Sequence, residues 1–282
     1  MLNHPAVKAI IDELADWPGI VLKSHKTAQH PLHKLVFLAD LGLKQDDPGI
    51  APITERILKH QSADGPFQIL SNIPPNFGGS GKDEFLWMLC DAPLVTYALV
   101  KFGMKNSGPV QNSLDYLVSL VRENGWPCAA DSNLGRFRGP GPKTEPCPYA
   151  NLLMLKLLSL YPDKRSELEV QTGIETILEL WEKQKEKKPY MFAMGTDFKK
   201  LKAPLIWYDI LHMTDILSKF ETVRSDQRFT EMVSLIRDKA DEQGRYKPES
   251  VWLKWKGWDF AQKREPSRWL TFLVLRMLGR IS

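Results

Sequence analysis

Residues 148–160 read PYANLLMLKLLSL, and apolar side chains cover nearly every face of the helix they would form. A helix that is apolar all round is buried on every side. Its leading proline suits the first helical turn, where an N–H has no intrahelical partner. Four other stretches share this form: HPLHKLVFLADLG (30–42), APLVTYALVKFG (92–103), APLIWYDILHMTDILSKF (203–220) and EPSRWLTFLVLRMLG (265–279). Their prolines, Pro31, Pro93, Pro148, Pro204 and Pro266, recur at intervals of 62, 55, 56 and 62 residues. A fixed period of this size is the mark of a repeat architecture.

Between these runs lies a second helix set, over about 5–15, 51–62, 110–122, 167–183 and 228–242. The stretch 167–183, ELEVQTGIETILELWEK, has one apolar stripe and one charged face, as a half-exposed helix does. Buried helices alternating with half-exposed ones imply two layers, and strand patterning is nearly absent. The expectation is an all-α fold, an α/α toroid with inner and outer helix rings. It would form one domain over 1–282, with about five helix-pair repeats at 1–43, 51–104, 108–162, 166–220 and 226–282.

The composition is that of an ordinary globular chain, 43% hydrophobic and 26% charged, which excludes disordered and collagen-like classes. A net charge of +4 is too mild to imply nucleic-acid binding. Cys90, Cys128 and Cys147 show no CxxC spacing and suggest a reducing compartment. With no signal-peptide core and no apolar run long enough to span a membrane, a soluble cytoplasmic protein is expected.

The links into the proline-led helices are long, and repeated long loops in a compact domain carry function. If the inner helices are parallel, these loops gather at one rim beside the positive helix ends. Together they hold 17 Lys/Arg against 10 Asp/Glu. Candidate anion-binding residues are Arg136, Arg138, Lys143, Lys254, Lys256, Lys263 and Arg264. Aromatic residues share these loops and the helix starts: Trp126, Phe137, Tyr149, Trp207, Tyr208, Trp255, Trp258 and Trp269. They either line an apolar cavity or plug it.

Gln61-Ser-Ala-Asp-Gly-Pro-Phe67 reads QxxDGxF, followed later by Asn124-Gly-Trp126 and Gln243-Gly-Arg-Tyr246. This element resembles the QxxxGxW repeat of the squalene cyclase and protein prenyltransferase superfamily, and GRFRGPGPKTEPCPYANLLML (135–155) is similar to the loop and inner helix of a prenyltransferase β subunit. The resemblance implies an α/α toroid. It also implies a small-molecule ligand, anionic with an apolar part like an isoprenoid diphosphate, in a central cavity. The superfamily's DxDD acid motif and its zinc-binding Asp-x-Cys and His are absent, so neither a metal nor another cofactor is expected. The alternatives are a non-catalytic scaffold on the same fold and an (α/α) carbohydrate-active enzyme, which would need two carboxylates across a cleft.

Asp209, His212 and Asp215 interrupt an otherwise apolar run along one side of a helix. Buried ionisable groups are costly unless paired, so these three are either catalytic or paired with a neighbour such as Lys156 or Arg276. His25, His30 and His33 offer a weak metal-ligand pattern. NFGGSGK (76–82) lacks the P-loop spacing and is expected to be a flexible loop tip.

Overall fold

The computed structural model describes residues 4–135, 139, 142–189 and 191–282. Among these residues there are ten α-helices. The half-exposed set is α1 (Pro5–Leu14), α3 (Ile50–Leu58), α5 (Gly108–Ser119), α7 (Leu168–Glu182) and α9 (Gln227–Arg237). The proline-led set is α2 (Pro31–Leu41), α4 (Ala92–Leu99), α6 (Pro148–Leu158), α8 (Ile210–Leu217) and α10 (Arg268–Leu278). Helix α2 packs on α4, α4 on α6, α6 on α8 and α8 on α10, while α1, α5, α7 and α9 cover α2, α4, α6 and α8.

Burial follows the sequence pattern closely in the middle of the chain. Every residue of α4, α6 and α8 is buried. Helix α10 departs from the expectation: only Leu270, Leu273, Val274 and Met277 are buried, and Phe272 and Leu275 are about half exposed. Helix α8 also departs, because it begins six residues after Pro204. The Asp209 carboxylate accepts the N–H of His212 at 2.9 Å and so caps the helix at that point.

A small antiparallel hairpin, β1 (Ile69–Asn72) with β2 (Asp83–Leu86), lies in the link before α4. Its connection contains the NFGGSGK segment, and the turn is closed by backbone hydrogen bonds. The N–H of Gly81 donates to Ile73 O at 3.0 Å, and a side chain at Gly79 would meet that same oxygen. Strands this short leave almost no alternation in the sequence.

The glycine–aromatic element joins successive repeats. Gln61 Nε2 donates to Gly65 O and to Pro109 O at the start of α5, each at 2.7 Å. Gly65, Gly125 and Gly244 all have positive φ, and Phe67, Trp126 and Tyr246 after them are buried. The Trp126 ring fills the space left by Gly173 of α7, where an added Cβ would lie 2.7 Å from it.

At Gly125, with φ of +102°, an added Cβ would stand 2.5 Å from both Asn151 Oδ1 and Thr176 Oγ1. Backbone strain and crowding of this kind cost about 1–3 kcal/mol each. Gly125→Ala is therefore expected to lower unfolding free energy by at least about 2 kcal/mol in a denaturant titration. Gly108→Ala, which meets nothing within 4 Å at the start of α5, should change it little.

Candidate functional site

The links preceding α2, α4, α6 and α8 meet around one cavity of about 210 Å3. Leu22, Ile73, Phe77, Met88, Phe192 and Trp207 make its wall largely apolar. Cys90, Cys128 and Cys147 open into the same space, as do Lys23 and His25. A second cavity, of about 300 Å3, shares Cys128, Cys147 and Phe192 with the first and adds Glu145, Glu179, Lys187 and Lys188. The residues before four inner helices thus converge at one end of the structure. Residues at the opposite ends of all five inner helices line a separate polar cavity. The proline-led helices therefore run in one direction.

The three thiols, far apart in sequence, are neighbours here and differ in character. Cys147 sits at the N-terminus of α6. Its thiol is held well below the ordinary range by the adjoining Cys128 and Cys90 thiols, with the N–H groups of Ala150 and Tyr149 adding to the effect. Cys90 is pushed up by its hydrogen bonds with Cys128 and Cys147 and by burial, and Cys128 is pushed up to about 12, chiefly by its hydrogen bond with Cys147 and against the effect of Cys90. On the cavity wall His25 Nε2 lies 3.0 Å from Asp91 Oδ2, and Asp91 Oδ1 accepts the Met88 N–H at 2.9 Å. Burial raises the Asp91 pKa, and the His25 bond opposes that rise. Lys26 Nζ stands 5.0 Å over the Trp207 ring.

The histidines at 30 and 33 are structural. His30 Nδ1 accepts the Leu32 N–H at 3.1 Å and caps α2, while Nε2 meets Ile20 O at 2.9 Å. His33 Nε2 meets His25 O at 2.9 Å. Burial lowers both pKa values, to about 4 and about 3. Among the described residues, no group of three or more His, Cys, Asp or Glu side chains is arranged to hold a metal ion.

The aromatic candidates divide. Trp207 lines the first cavity, and Tyr149 packs behind it with the rings tilted and their centroids 4.5 Å apart, while its hydroxyl donates to Ile206 O at 2.7 Å. Tyr208 is buried against Phe192 and Phe198. Trp126 is fully buried, and its indole N–H donates to Leu117 O. Trp255, Trp258 and Trp269 surround Phe37 of α2 at 4.9, 4.9 and 5.7 Å, and so fill the contact between the first and last repeats.

Lys254, Lys256, Lys263 and Arg264 are exposed and make no ion pair among the described residues. Lys143 borders a third cavity with Arg122 and Asp131. Arg136, Arg138 and Phe137 lie outside the described residues.

The triad on α8 is also divided. Asp215 accepts from Arg280 at 2.9 Å and lies 3.5 Å from Arg276 and 3.7 Å from Lys219. These cations, Lys219 foremost, overcome burial and hold its carboxyl below the usual range. Asp209 and His212 are sealed inside, and Asp209 Oδ2 and His212 Nε2 have no hydrogen-bond partner among the described residues. Burial pushes Asp209 up to about 7 and His212 down to about 3. None of the three reaches the thiol-lined cavities.

No family model matches the chain, and no curated protein matches it either. No helix among the described residues is long and apolar enough to cross a membrane.

Two stability effects separate these carboxylates. Asp215→Ala strands three cations and is expected to cost about 3–5 kcal/mol, read as the shift in a denaturant midpoint at constant m-value. Asp209 has a folded-state pKa above its unfolded one, so the folded state holds the extra proton and its contribution falls as pH rises from about 4 to about 7. The buried histidines slope the other way, so the comparison is with Asp209→Asn, which keeps the capping oxygen. The variant should match the wild type below pH 4 and exceed it by more than about 1 kcal/mol above pH 7. Equal pH profiles would count against an uncompensated carboxylate here.

Proposed function

We propose that the chain is an α/α-toroid protein that binds a small ligand with an apolar body and an anionic head, of the isoprenoid diphosphate type. The binding place in this reading is the pair of cavities at the N-terminal ends of the inner helices. The observation that carries it is the adjoining apolar cavity walls, ringed by Lys23, Lys26, Lys187 and Lys188. The two cavities, about 210 and 300 Å3, together fall within the roughly 300–1,000 Å3 of small-molecule sites. The starts of α4 and α6 add positive dipole ends beside them. Sequential packing of the inner helices, and the Phe37 cluster between first and last repeats, support a closed ring.

Binding is favoured over glycoside hydrolysis. Glu179 in the second cavity is held deprotonated, chiefly by its hydrogen bond from Lys183, which suits it poorly as a general acid.

Cys147 provides the readout. Cys147 lines both cavities, and its alkylation by iodoacetamide is followed by peptide mass spectrometry. Farnesol and farnesyl diphosphate should both protect it, the diphosphate at lower concentration. Undiminished alkylation with both ligands would overturn the proposed site.

A further inference from the structure

At the end of the structure away from the thiols, the C-termini of all five inner helices surround a polar cavity of about 370 Å3. Its two carboxylates are each committed. Asp40 of α2 pairs with Lys156 of α6 at 3.3 Å and accepts the Tyr97 hydroxyl. Asp215 of α8 is held by Arg280, Arg276 and Lys219. Lys101, Arg165 and Arg224 complete the lining, so seven cations face two carboxylates, a surplus of five. Glu221 reaches Arg224 at 3.8 Å from an exposed position.

Cations are favoured at helix C-termini, and this explains part of the surplus. Five helix ends at about −0.5 charge each supply about −2.5, leaving roughly two positive charges uncompensated. The local chemistry agrees with crowding. Burial lowers Lys219 to about 8 even beside Asp215, with Lys156 and Arg280 adding to the shift. Lys101 is lowered too, by burial first and then by Lys44, Arg276 and Lys156 against the pull of Asp40. The Nε–H groups of Arg165 and Arg276 are buried and have no acceptor among the described residues.

The geometry points to a second binding site in this cup, for the oligophosphate group of a compact polyanion. Guanidinium forks match phosphate oxygens, and spare donors in a cavity poor in acceptors call for a ligand made of acceptors. The site is independent of the thiol-lined cavities and would stand if their ligand proved to be something else.

The test is isothermal titration calorimetry of the full chain with inorganic tripolyphosphate at low salt, sodium sulfate of equal ionic strength serving as control. Two variants are compared: Lys101→Gln, which breaks no ion pair among the described residues, and Arg276→Gln, which leaves Asp215 with Arg280 and Lys219. Unchanged thermal unfolding verifies that both fold. One-to-one binding of tripolyphosphate is expected, absent with sulfate, weakened about tenfold in each variant and further by added salt. ATP is the second arm. Affinity above that of tripolyphosphate with the same dependence on Lys101 and Arg276 would identify a nucleotide-borne oligophosphate, and affinity below it a free one. The inference is overturned by an absence of saturable tripolyphosphate binding, or by binding that both variants leave intact.

Discussion

A helix with no face toward solvent can place its polar chemistry only at its ends, and this constraint organises the whole protein. Helices α4, α6 and α8 are buried along their full length. Several polar groups inside them are answered close by: Thr96 donates to Ala92 O, Thr214 to Ile210 O, and the Asn151 side chain bonds the backbone of Trp126 and Cys147. Most of the remaining charged groups lie toward the ends, with the buried His212 of α8 an exception. Thiols and an imidazole–carboxylate pair collect at one end, lysines and arginines at the other. The polarity of the molecule follows from the parallel run of its inner helices.

The connections reinforce this division. Long links enter the N-termini of the inner helices, and only there is enough chain available to build walls, a hairpin and cavities. Shorter links leave the C-termini, so the opposite end is lined by last helical turns, as at Lys156 and Asp215, and by the residues that follow them, as at Lys101 and Arg280. Residues such as Lys156 and Asp215 are consequently fixed by helix packing, whereas Cys128 and Phe192 are fixed by loop contacts.

Much of the helical plan is legible in the sequence, because all-round apolarity and one-sided apolarity are periodic signals and the prolines mark their starts. The start of α8 is not, since a side-chain cap at Asp209 overrides the proline six residues earlier. The hairpin is too short to leave alternation. The site was less legible. Basic loop residues are the conspicuous feature, yet Lys254 and Lys263 are exposed and line neither thiol-bearing cavity. Cys90, Cys128 and Cys147 show no local spacing, because each comes from a different position along the links and only the fold makes them neighbours. Their common placement just before inner helices, at Cys90 and Cys147, was the available signal. The basic cup could not be read from any one stretch, since each helix contributes only one or two of its charges.

The contacts between distant repeats bear on how the protein comes apart. Trp255 donates its indole N–H to Ala28 O across 227 residues, and Lys156 reaches Asp40 across 116. In an open array each unit touches only its neighbours, so the array can fray from either end, one unit at a time. Here the last repeat holds the first and the third holds the first as well. These contacts tie repeats distant in sequence directly to one another, which a nearest-neighbour array lacks.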